Sequence, residues 1–81
     1  MKPMNCPICG RKAWVTHELV DGFDFGWDAG CPVFKLDDGI HGITDETPKD
    51  KWLCVQGLAS RKEAISAWNE RVKRILCEVK A

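Results

Sequence analysis

The chain has 81 residues, 44% of them hydrophobic, and its 12 basic and 12 acidic side chains cancel. A chain this short buries too little apolar surface for a secure core and usually carries a staple, and zero net charge argues against a partner held mainly through its phosphates. Five cysteines, an odd number without a signal-peptide pattern, fit a reduced compartment better than a disulfide framework, and no stretch has the apolar length of a membrane span. The expectation is one soluble, cytoplasmic domain over residues 1–81.

The first informative stretch is Cys6-Pro7-Ile8-Cys9-Gly10. Two thiols two residues apart can close one backbone turn around a tetrahedral ion, and zinc suits thiolates at that spacing. Proline fixes φ within such a turn, and glycine after it tolerates positive φ. A redox CxxC has the same spacing but needs a preceding strand. Only five residues precede Cys6, so the motif is read as half of a metal site.

Residues 13–20 have strand composition, and Asp21-Gly22 is a two-residue hairpin signal. Phe23, Phe25 and Trp27 then alternate with Gly22, Asp24, Gly26 and Asp28. A period of two separates an aromatic face from an acidic one. The aromatics are assigned to the core, the alternative being a binding ridge. Ala29-Gly30-Cys31-Pro32 ends the strand in a bend; Val33–Leu36 and Ile40–Ile43 read as extended segments around the Asp37-Asp38-Gly39 turn. A polar loop covers 44–50, and Trp52–Val55 reads as a last short strand, which puts the sheet over 13–57.

Ser60-Arg61-Lys62-Glu63 is a capping box, so a helix is expected over 61–78. Ile65, Trp68, Val72, Ile75, Leu76 and Val79 recur at three- and four-residue steps on one face. Trp68, beside the small Ala64 and Ala67, is the expected anchor, and Asn69 at the edge of the stripe is expected to reach loop backbone near the knuckle. The pattern is that of an α+β domain: an antiparallel hairpin sheet with one C-terminal helix packed on it.

The remaining ligand candidates are Cys31, Cys54, Cys77, His17 and His41. Cys77 falls outside the apolar stripe of the helix, and His17 lies mid-strand, far from a bend. Cys31 sits between a glycine and a proline, a bend chemistry like that around Cys6, and is taken as the third ligand. The fourth is His41 or Cys54. His41, just past a tight turn, is favoured over Cys54, whose strand context suits a small core residue. The set Cys6, Cys9, Cys31, His41 is a closed Cys₃His site for one structural zinc.

Cys6-Pro7-Ile8-Cys9-Gly10 at one end and Glu63-Ala64-Ile65-Ser66-Ala67-Trp68-Asn69-Glu70-Arg71 at the other resemble the Lar family of phage and prophage restriction-alleviation proteins. The resemblance implies a small zinc-ribbon-like domain of phage or prophage origin, acting in a bacterial host cell on a host restriction–modification enzyme. Most such proteins carry a second CxxCG knuckle, whereas here Cys54-Val55-Gln56-Gly57 and Cys31-Pro32-Val33-Phe34 each lack its second cysteine.

No Ser/His/Asp set, phosphate-binding glycine loop or positioned carboxylate pair competes with that reading, so a non-enzymatic role is expected. Residues 1–59 hold six bases and nine acids, against six and three in 60–81. The expected function is a modulator that binds a host protein through this acidic front, with Asp24, Asp28, Asp37 and Asp38 as first contacts. The alternative is a small nucleic-acid-binding zinc module that uses Lys62, Lys73 and Lys80 with Arg61, Arg71 and Arg74.

Overall fold

The structure, a computed structural model, describes residues 1–80, without the side chains of Val79 and Lys80, so the expected places of those two side chains lie outside the described residues. Strands β1 (Trp14–Val20), β2 (Phe23–Gly30) and β3 (Cys54–Leu58) form one antiparallel sheet in the order β1-β2-β3. Helix α1 (Arg61–Lys80) packs against it, and a single 3-10 turn (Lys49–Lys51) precedes β3. The fold is the expected α+β arrangement.

The hairpin turns at Asp21 (φ 51°) and Gly22 (φ 84°), the left-handed pair that a two-residue turn requires. Two irregularities then reshape the sheet. Between β1 and β2 the register slips at Glu18/Leu19, where Glu18 faces Gly26 but Leu19 faces Asp24. Phe25 is the extra residue of this bulge. The strict alternation expected across β2 is broken there, and the assignment of all three aromatics to the core is corrected: Phe23 and Phe25 are exposed, and only Trp27 packs against the core. Between β2 and β3 the slip falls at Asp28, which is buried; its Oδ1 accepts the Gly57 N–H (3.1 Å), a donor the bulge takes out of the ladder.

The segment from Cys31 to Leu53 holds no strand, contrary to the extended segments expected at 33–36 and 40–43. Tight turns shape it instead. Asp37 (φ 60°) donates its N–H to the Ile43 carbonyl (2.8 Å), and Thr44 and Thr47 close a turn through both backbone and hydroxyl bonds.

Helix α1 begins as its capping box requires: the Glu63 N–H donates to Ser60 Oγ (3.2 Å), and Glu63 Oε2 accepts from the Ala59 N–H (3.2 Å). Its inner face buries Ala64, Ile65, Trp68 and Val72, with Ile75 and Leu76 partly covered, while Cys77 is exposed. Ala64, Trp68 and Val72 meet Ala29, Ile43, Leu53 and Val55 in one core that also includes Cys6 and Cys31. Trp68 is fully buried, and its indole N–H donates to the Met4 carbonyl (2.7 Å). Asn69 clasps the same segment, accepting the Met4 N–H (2.7 Å) and donating to the Lys2 carbonyl (3.2 Å). The helix therefore holds the strand-free N-terminus as well as the sheet. Arg71, on the other edge of the stripe, donates through Nη1 to the carbonyls of Trp52 and Cys54.

Trp68→Ala removes the largest buried side chain and leaves the Met4 carbonyl without its donor. The expected loss is about 3–5 kcal/mol in urea unfolding, enough to unfold a marginal domain; a loss below about 1 kcal/mol would place the anchor elsewhere.

Candidate metal centre

Three separate parts of the chain converge on one point. Cys6 and Cys9 come from the N-terminal knuckle, Cys31 from the residue after β2, and His41 from the loop beyond. One ligand atom from each of these four residues lies within 4.8 Å of all the others. Cys9 Sγ and Cys31 Sγ are 3.4 Å apart, and Cys31 Sγ and His41 Nε2 3.5 Å. A disulfide needs about 2.05 Å, so the thiols are free. Cys6, Cys31 and His41 are buried. Three sulfurs and an imidazole aimed at one buried point are a donor set that can hold a metal ion.

Local chemistry brings each ligand to its place. The knuckle closes with the Gly10 N–H on the Cys6 carbonyl (2.9 Å) and the Cys6 N–H on the Arg11 carbonyl (2.9 Å), Gly10 taking φ 77°. The Arg11 backbone N–H is the main influence that lowers the Cys9 thiol to about 6, where it is readily deprotonated. Cys31 follows Gly30, and a Cβ on Gly30 would lie 2.6 Å from the Cys54 Cβ and 2.7 Å from the Leu53 carbonyl oxygen. Glycine there lets β2 and β3 close up, and the Cys31 N–H reaches the Leu53 carbonyl at 3.0 Å. Burial pushes the Cys31 thiol up to about 12 in the absence of a cation. A metal's positive charge favours the thiolate and reverses that tendency.

His41 is oriented by Asp38, a residue expected at the acidic surface. Asp38 Oδ1 accepts the backbone N–H groups of Ile40 (3.0 Å) and His41 (2.9 Å), and its Oδ2 lies 2.6 Å from His41 Nδ1. With a proton on Nδ1, the Nε2 lone pair is free to face the three sulfurs, the carboxylate–histidine arrangement that supports metal ligands. The His41 N–H is the chief cause of the Asp38 carboxyl falling to about 2. Burial works to lower the His41 pKa, and the hydrogen bond and charge of Asp38 help to reverse this, leaving it raised. The ring is further fixed edge-on by Phe34, at 5.6 Å between centroids.

The other candidates lie apart. Cys54, the alternative fourth ligand, is half-buried in β3 outside the cluster, and burial raises its thiol pKa. His17 stacks flat on Trp27 (4.7 Å between centroids) and bonds Asp24 through Nε2 (2.9 Å). Of the four aspartates proposed as first contacts, Asp24 and Asp37 are exposed. Asp28 and Asp38 are corrected: the first fills the β2–β3 bulge and the second holds His41. Asp38 had a legible signal, an Asp three residues before a histidine in a turn, but the same residues also read as turn chemistry alone.

Asp38→Asn keeps the acceptor for the backbone N–H groups and removes the carboxylate. Metal affinity should fall about 10–100-fold, read by competition with a chromophoric chelator. His41→Ala should lose more than Asp38→Asn, and Cys54→Ala should change little. Equal affinity in wild type and the His41 variant would remove His41 from the ligand set.

No family profile, curated protein or solved structure matches this chain.

Proposed function

We propose that the four-residue cluster holds one structural zinc ion and that the chain is a non-enzymatic, protein-binding modulator of a host restriction–modification enzyme, acting in the bacterial cytoplasm. The donor set supports zinc: soft thiolates with one imidazole are typical of structural zinc sites. Tetrahedral bonds of about 2.3 Å place thiolates about 3.8 Å apart, close to the spacing found here. Four protein ligands leave no open position for a substrate, which supports a structural ion.

The observation that carries the family half of the proposal is how the two resembling stretches meet. Trp68 and Asn69 of the helix motif grip Met4 and Lys2, immediately ahead of the knuckle at Cys6. One motif fixes the chain that the other folds around its metal. The two are therefore a single physical device, which explains why they should occur as a pair. The acidic surface for a basic partner is then carried by Asp24 and Asp37, with Asp21 in the hairpin turn.

Metal analysis should give one zinc per chain, and Cys6→Ser should abolish both zinc and cooperative unfolding, because the binding free energy of a structural zinc is largely folding free energy. A metal-free chain that still melts cooperatively would defeat this half.

For the other half, unmodified phage should plate more efficiently on restricting cells that express the chain than on cells that do not. No effect across a panel of restriction systems would defeat the target class. Salt-sensitive binding to random duplex DNA would instead favour the nucleic-acid module.

A further inference from the structure

The β1–β2 hairpin ends in an apolar surface that the helix does not reach. Leu19 is 62% exposed, Val20 48%, Phe23 69% and Phe25 59%. Single exposed apolar residues need no explanation, but several together on one tip mark a contact site. The bulge that exposes Phe25 also places Asp24 beside His17, where its Oδ1 accepts from His17 Nε2 (2.9 Å) and the Gly26 N–H (2.8 Å). His17 in turn lies flat on Trp27 with 3° between the rings. The tip is thus braced from one side and closed by a tight left-handed turn at Asp21-Gly22, so little order has to be gained on binding.

The charge around the tip narrows the partner. Between Lys12 and Lys35 the chain has no lysine or arginine, while Glu18, Asp21 and Asp24 all lie at or near the turn. Exposed aromatics can serve as stacking platforms for single-stranded nucleic acid or as membrane anchors, but both of those uses are normally accompanied by cations. Aromatics on a hairpin that carries carboxylates and no lysine or arginine complement an apolar recess edged with lysine and arginine. We propose that the hairpin tip docks into such a recess on a partner protein, Phe23 and Phe25 filling it and Glu18, Asp21 and Asp24 meeting its basic rim. This rests on the protein-binding half of the function proposed above and is independent of which enzyme class the partner belongs to.

The test uses the full, metal-loaded chain immobilised against lysates of restricting bacteria, beside two variants. Phe23→Thr/Phe25→Thr removes the apolar tip with strand-compatible residues, and Glu18→Lys/Asp21→Asn alters charge while asparagine keeps the left-handed turn. Unchanged metal content and melting establish that both variants fold.

The proposal expects a protein that is retained by the wild type and lost with the phenylalanine variant. Once purified, it should associate roughly tenfold more slowly at high than at low salt, and several-fold more slowly with the charge variant, at a similar dissociation rate. Retention unaffected by the phenylalanine change, faster association with the charge variant, or capture of nothing would overturn it. So would a tip-dependent shift in sedimentation mass that reveals a second copy as the occupant, or tip-dependent binding to RNA or lipid vesicles. A non-restriction protein with the expected signature would remove the target class and keep the surface; a restriction enzyme retained equally by the phenylalanine variant would do the reverse.

Discussion

Three buried sulfurs and an imidazole converging on one point set the terms for the rest of the molecule. Thiolates crowded in a buried site repel one another, and thiols packed as closely as this contribute little on their own. The cluster joins the N-terminal knuckle, the end of β2 and the loop after it, three stretches that share no ladder of hydrogen bonds. The loop containing His41 is otherwise held by short turns and by Asp38. An ion held there would join these stretches where backbone hydrogen bonding does not, its binding free energy adding to that of folding.

Around that point the helix acts as a second clamp. Trp68 and Asn69 fix the backbone of Met4 two residues before the first ligand, so the knuckle is presented from a segment already held to the core. Gly30 does the corresponding work on the sheet side, where the absence of a side chain lets Cys31 approach Leu53. The positions of three of the four donors are thereby set by contacts outside the cluster. A metal held there would not depend wholly on the strand-free loop that carries His41.

The regular elements were legible because each announced itself locally. Asp21-Gly22 demanded a hairpin, Ser60 and Glu63 a helix start, and the apolar stripe from Ile65 to Leu76 a buried face. The clustering of Cys31 and His41 with Cys6 and Cys9 was legible from bend chemistry, although spacing alone left Cys54 open. The solvent-facing phenylalanines were not legible, because a one-residue bulge reverses the faces of a strand and leaves no mark in an alternation count. Asp28 and Asp38 failed for a related reason. Both sit in acidic, turn-rich sequence that reads as solvated surface, and only the fold shows one filling a bulge and the other holding a ligand ring.

Arg71 has an effect beyond helix packing. The pairing of Cys31 with Leu53 directs the Cys54 carbonyl away from β2, toward the outer border of the sheet, and Arg71 donates to it and to the Trp52 carbonyl. A guanidinium that is never neutral at physiological pH therefore occupies acceptors that an incoming strand would need. Growth of the sheet by a second chain is disfavoured along β3, and β1 is the remaining border at which a strand could be added. The molecule is in this sense polar: one side is sealed against its own kind by a fixed cation, and the other carries the hairpin with its bare aromatic tip.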